Sequence, residues 1–396
     1  MHSYKKAAAL ITAAAISFSM LAGCGKSDGN ADETAAETTL ADAAQEQLAD
    51  VYVNPDWSYG QVAIGGGGFV TGIVSTCEAG LFYARTDVGG AYRWDDSEKK
   101  WIALNYDISE DDRGLLGIDG IAIDPNNAAN VYLAAGTSYF SNAKTCILVS
   151  HDYGAHFKQV EVSDLIKVSG NGMGRGNGER IAVDPNNSDI IYCGGRTGGM
   201  IRSLDAGETW EKVESFPVTS TANENGINII MFDKSKSADG KTSRIYAGVS
   251  QSKADNIYYS DDAGESWNVL PASEEASQRY MPQRFDLDSK GDLFVSYGNK
   301  EGPWNSVQGT LYKYNADNGT GEEIQVISWT VGDIVIDPNN DDNMVLVTSE
   351  VWKEQPNGAF GDKFYRTTDG GKTWEDLDGK YTMSTNGMDW ISNAAI

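Results

Sequence analysis

The chain has 396 residues, with 57 acidic and 31 basic side chains, a formal net charge of −26 and 3 histidines. That balance argues against a polyanionic partner such as nucleic acid and leaves a neutral or cationic ligand, or simple solubility, as its use. One of the histidines is His2, so metal-centre and Ser-His-Asp chemistry are both poorly supplied, and no metal or cofactor is expected.

In chain order, residues 1–23 read as a secretory signal. Lys5 and Lys6 supply the positive start, Ala7 to Met20 form an apolar run too short to span a bilayer, and small residues precede Cys24. Leu21, Ala22, Gly23 and Cys24 resemble the lipobox of bacterial lipoproteins, which implies cleavage before Cys24 and lipid on its sulfur, tethering the protein outside the cell membrane. The alternative is a plain secretory peptide with an incidental cysteine. Residues 24–50 are rich in Ala, Glu, Asp and Thr and poor in bulky side chains, so they are predicted to form a disordered stalk. Cys77, Cys146 and Cys193 remain, an odd number without zinc-like spacing, and no disulfide framework is expected. The folded domain is predicted over residues 51–396.

Its first distinctive stretch is Leu81-Phe-Tyr-Ala-Arg-Thr-Asp-Val-Gly-Gly-Ala-Tyr-Arg-Trp94, two strands around a glycine-bearing loop that holds Asp87. Asp87 is either a turn aspartate or a catalytic carboxylate, and the internal repeats bear on the choice. Ser203-Leu-Asp-Ala-Gly-Glu-Thr-Trp210, Ser260-Asp-Asp-Ala-Gly-Glu-Ser-Trp267 and Thr367-Thr-Asp-Gly-Gly-Lys-Thr-Trp374 share one pattern, with a looser copy at Ser150 to Phe157. Degenerate copies at Asp96 and Asp317 complete a series of aspartates at 96, 152, 205, 262, 317 and 369. In each, Asp accepts backbone hydrogen bonds across a tight turn, Gly supplies a positive φ and Trp packs between sheets.

A second repeat, Ile-x-Ile/Val-Asp-Pro-Asn-Asn, begins at Ile121, Ile181 and Ile334, each time between two apolar strands. Every unit therefore reads strand, Asp-Pro-Asn-Asn turn, strand, variable loop, strand, Asp-box turn, strand. The predicted class is all-β, a β-propeller with four-stranded antiparallel blades, six of them recognisable plus the start of a seventh. Along such a meander the two regular turns share one face and the variable loops share the other with the links between blades. Asp87 precedes Asp96 by nine residues and falls on the variable face, outside the box register.

The variable loops bring Tyr139, Phe140, Trp304, Trp352 and Phe360 to that face, suited either to sugar rings or to packing within the loops. Links between blades add Asp119, Arg175, Glu179 and Arg180, with Glu179 and Arg180 able to pair with each other or to reach a ligand.

Gly65 to Val74, Tyr83 to Arg93, Gly117 to Pro125 and Gly174 to Pro185 resemble the endo-acting xyloglucanases of glycoside hydrolase family 74. The resemblance implies two tandem propellers with a glucan-binding cleft between them, and inverting cleavage of a β-1,4-glucan backbone with one aspartate from each propeller. Asp87 matches the N-terminal aspartate, as general base, and Trp352 falls in a segment similar to a substrate-binding loop. Tyr139, Trp304, Arg175 and Asp119 are the other expected substrate contacts, on a monomer whose partner is plant cell-wall xyloglucan and whose only membrane contact is the lipid anchor. The sequence stops at Ile396 inside an expected strand, so the family's acid residue falls outside it. A truncated chain and a single-propeller protein both fit; for the latter, the alternative function is glycan binding without catalysis.

Overall fold

The computed structural model describes residues 67–137, 144–302, 306–324, 331–348 and 363–377. Their strands form six four-stranded antiparallel sheets, each a meander, and the expected propeller of four-stranded blades is borne out. Blade 1 contains β1 (Val70–Ser75), β2 (Phe82–Thr86), β3 (Ala91–Asp95) and β4 (Lys100–Ala103). Blade 2 contains β5 (Ile118–Ile123), β6 (Val131–Gly136), β7 (Thr145–Ser150) and β8 (Lys158–Glu161). Blade 3 contains β9 (Ile181–Val183), β10 (Ile191–Gly194), β11 (Met200–Ser203) and β12 (Glu211–Lys212). Blade 4 contains β13 (Ile227–Phe232), β16 (Ile245–Val249), β17 (Ile257–Ser260) and β18 (Asn268–Val269), with a small hairpin, β14 (Ser237–Ala238) and β15 (Lys241–Thr242), inserted after its first strand. Blade 5 contains β19 (Met281–Leu287), β20 (Leu293–Gly298), β21 (Gly309–Asn315) and β22 (Thr320–Ile324). Blade 6 contains β23 (Asp333–Ile336), β24 (Met344–Val347), β25 (Phe364–Thr367) and β26 (Glu375–Asp376).

The inner strands lack the alternation of a half-exposed sheet because blades cover both of their faces. Every residue of β5, β6 and β7 is buried, whereas β8 at the rim is almost wholly exposed. Apolar layers fill the spaces between blades: Tyr83 and Leu104 meet Ile121 and Leu133 between blades 1 and 2, and Tyr132 and Ile147 meet Ile181 and Ile191 between blades 2 and 3. Each such fully buried aliphatic side chain stabilises the fold by roughly 1.5–3 kcal/mol.

The regular face is built as the repeats predict. Ser203 Oγ donates to Asp205 Oδ1 at 2.8 Å, and Asp205 accepts from Thr209 N at 2.8 Å and Thr209 Oγ1 at 2.6 Å. The same bonds recur at Asp262 and Asp369, and in blade 2 the His156 ring replaces the hydroxyl at Asp152. Trp210 packs against the layer between blades 2 and 3. The two degenerate copies keep the spacing but not the role. Asp95, rather than Asp96, caps the blade 1 turn by accepting from Ser97 and Glu98, while Asp96 is exposed and bound to Lys99. In blade 5 Asn315 caps the turn, and Asp317 pairs with Lys236 and Arg244 of blade 4. In both copies the capping group lies at the end of the third strand, where the chain turns earlier than the shared frame assumes.

The first strands of the blades surround a central channel of about 490 Å³. Pro125, Pro185 and Lys234 line it toward the Asp-Pro-Asn-Asn turns, and Glu179 and Arg284 line it toward the variable face.

Candidate active site on the variable face

β2 reaches the variable face at Thr86, whose Oγ accepts from Gly89 N and donates to Gly90 O, both at 2.8 Å. This closes a loop small enough to present Asp87 beside the strand. Gly89 is required for close approach: a Cβ there would come within 1.8 Å of Gly67 O. With the two segments in contact, Phe69 N donates to Asp87 Oδ1 at 2.7 Å and Asp87 N donates to Phe69 O at 3.0 Å.

The other carboxylate oxygen faces a cation. Arg175 Nε lies 3.5 Å from Asp87 Oδ2, and its guanidinium also lies over the Phe69 ring, 5.6 Å from the centroid. Asp87 is 7% exposed. Among the described residues Oδ1 accepts a short hydrogen bond while Oδ2 has only the ion-pair contact with Arg175, which is not a hydrogen bond, so Oδ2 retains capacity to accept one.

Asp119 has a different setting. Its side chain has no exposed surface and is bracketed by Arg196, at 2.7 and 2.8 Å, and by Arg180 Nε at 3.1 Å, with Ser169 N donating at 3.0 Å. Burial alone would raise the Asp119 pKa; the two guanidiniums outweigh it and hold the group down to about 2. Among the described residues the polar partners of Asp119, the expected substrate contact, are all internal. Arg196 also donates to Met173 O at 2.6 Å, so Asp119 supports the link that carries Arg175.

Glu179 and Arg180 do not pair with each other. Glu179 turns to the axis, where it binds Arg85 Nε at 2.8 Å and Ile121 N at 2.8 Å, and Arg180 turns between blades toward Asp119 and Asn225.

Residues 170–179 thus form a strap that crosses toward blade 5. Gly174 N donates to Gly302 O at 2.6 Å, Gly178 N to Gln283 O at 3.1 Å, and Asn177 Nδ2 to Gln283 Oε1 at 2.5 Å. Arg85, Arg284, Asn177 and Gln283 escaped the sequence reading. The available signal was a Gln-Arg pair inside an inner strand, where an unpaired charge would be costly. Of the other expected site residues, Tyr139, Trp304, Trp352 and Cys24 lie outside the described residues. Among the described residues the variable face does expose Val88, Tyr106 and Val307, with Tyr106 81% exposed.

These features define an Asp-box β-propeller with a largely buried carboxylate, Asp87, at one mouth. The BNR/Asp-box repeat model matches residues 365–376, and the model described as sortilin, neurotensin receptor 3, matches residues 145–325. The chain is 35% identical over 382 residues to a xyloglucanase of Paenibacillus sp, covering 88% of this chain and 36% of the relative. It is 33% identical to an oligoxyloglucan-reducing end-specific xyloglucanase of Emericella nidulans, covering 89% and 45%. The crystal structure of the Niastella koreensis GH74 enzyme superposes with a TM-score of 0.73 at 40% identity, covering 81% of this chain and 47% of that one. The likeness to glycoside hydrolase family 74 is thus borne out over most of the chain. The chain spans less than half the length of these relatives.

Proposed function

We propose that this propeller is part of a glycoside hydrolase that cleaves the β-1,4-glucan backbone of xyloglucan internally and with inversion, and that Asp87 is its general base. The observation that carries the reading is Asp87 itself: a carboxylate outside the turn repeat, oriented by Phe69 N and retaining acceptor capacity at Oδ2 on the face where the loops converge. In the proposed reaction Oδ2 takes a proton from water as the water oxygen attacks the anomeric carbon. The glycosidic oxygen leaves with a proton from a carboxylic acid roughly 6.5–9.5 Å away, across the sugar. That acid belongs to a second propeller packed on the variable face. Tyr139, Trp304 and Trp352 stack on sugar rings, and lipid on Cys24 holds the enzyme, a monomer, at the outer face of the cell membrane.

The test is Asp87→Asn. Release of reducing ends from xyloglucan should fall by more than about a hundredfold, while calorimetry should show oligosaccharide affinity retained. Unchanged turnover removes Asp87 from the chemistry. The alternative is glycan capture without catalysis. It predicts saturable binding of xyloglucan oligosaccharides and no reducing-end release by the unsubstituted chain.

A further inference from the structure

Arg284 lies on β19 of blade 5, nearly 200 residues from Asp87 in sequence, and is buried with 7% exposure. Its guanidinium donates twice to Gly176 O, from Nε at 3.1 Å and Nη2 at 2.8 Å. Nη2 also donates to Thr71 O at 3.2 Å, and Nη1 reaches Glu179 Oε1 at 3.4 Å. Asp333 Oδ2 is 3.9 Å from Nε.

The two carbonyls are what make this side chain informative. Gly176 follows Arg175, whose Nε faces Asp87 Oδ2. Thr71 lies two residues beyond Phe69, whose N–H holds Asp87 Oδ1. One guanidinium therefore grips the backbone beside both groups that orient the carboxylate, and it ties together two segments about 100 residues apart in sequence. Arg85 makes a parallel link from blade 1, donating to Thr71 Oγ1 at 2.7 Å and Arg175 O at 2.8 Å. Arg85 lies on β2, just before the loop that holds Asp87, whereas Arg284 brings in blade 5.

We propose that Arg284 is a positioning residue for Asp87: it clamps Thr71 and Gly176 so that Phe69 N and Arg175 Nε hold the two carboxylate oxygens in one orientation. Its bearing on catalysis rests on the reading of Asp87 as base; its bearing on local geometry does not. The planar fork is essential to the role, because a lysine ammonium keeps the charge toward Glu179 and Asp333 but cannot bind both carbonyls in that geometry.

Arg284→Lys tests this with two readouts in the whole chain. In hydrogen exchange followed by mass spectrometry, the peptides containing the Phe69 and Asp87 amides should exchange at least about tenfold faster than in the parent. Where turnover is measured, kcat should fall about ten- to a hundredfold with KM unchanged within about twofold. Arg244→Lys is the control: Arg244 binds Asp261 and Asp317 near the opposite face and should leave both readouts at parent values. Parent-rate exchange in Arg284→Lys overturns the proposal, as does equal acceleration in Arg244→Lys, which would mean general loosening. Faster local exchange with parent kcat, in an enzyme that Asp87→Asn inactivates, overturns the catalytic part. If Asp87→Asn itself keeps full turnover, the base assignment fails while the exchange comparison still decides whether Arg284 holds the carboxylate.

Discussion

On the regular face, Asp152, Asp205, Asp262 and Asp369 each accept a hydroxyl and a backbone N–H from one short segment, or a ring nitrogen in the case of Asp152. On the variable face, Asp87 and Asp119 take their partners from segments 18 to 88 residues away. The first arrangement can be copied blade after blade because all of its parts travel together in sequence. The second exists once, at the place where blades and links meet. Within the variable face the two aspartates differ again. Asp119 is saturated by two guanidiniums and an amide, as a structural anion must be when buried, while Asp87 has one close donor and one distant one. Among the described residues Asp87 is the less fully satisfied of the two and keeps capacity for chemistry that Asp119 lacks.

Five substitutions sharpen this contrast, from the largest expected effect to the smallest. Asp87→Asn should cost more than about a hundredfold in turnover with little change in melting temperature, because it keeps an oxygen for Phe69 N. Asp119→Asn should do the reverse at the level of stability. It leaves Arg180 and Arg196 buried without their counter-charge and should destabilise by about 3–5 kcal/mol, measurable by denaturant unfolding. The pH dependence follows from the same pair of guanidiniums. With a folded pKa of about 2 against an unfolded value near 3.9, Asp119 contributes stability that is present above about pH 4 and lost as pH falls toward 2. The Asn variant should therefore show a shallower acid limb than the parent; identical acid limbs would mean that Asp119 does not titrate with unfolding.

Asp205→Ala should cost about 1 kcal/mol, since water competes for the donors of a mostly exposed turn, and should leave any turnover intact. The smallest effect separates the two neighbours in blade 1. Asp96→Ala should leave the melting temperature unchanged, whereas Asp95→Ala should lower it, because only Asp95 caps the turn. A larger loss at Asp96 would restore the repeat frame read from sequence.

Those two neighbours also show where sequence reading stops. The spacing near fifty-five residues made the blade, its strand order and its two faces legible, because each blade is assembled from local hairpins whose turn residues recur. The same frame placed Asp87 off the repeat and on the variable face. It assigned Asp96 and Asp317 to turns that Asp95 and Asn315 in fact cap, since a one- or two-residue shift in a tight turn is invisible at that period. It also suggested Glu179 and Arg180 as partners from adjacency, although Glu179 binds Arg85 and Arg180 binds Asp119 instead.

By itself, then, the sequence determined the elements whose bonds close within a few residues: the hairpins, the Asp boxes, the Asp-Pro-Asn-Asn turns and the loop that holds Asp87. Only the tertiary structure decided which charges meet. Arg85, Glu179 and Arg284 come from blade 1, a blade link and blade 5. Their contacts depend on how the blades pack around the axis, a geometry set by the apolar layers between sheets, and no spacing along the chain records it.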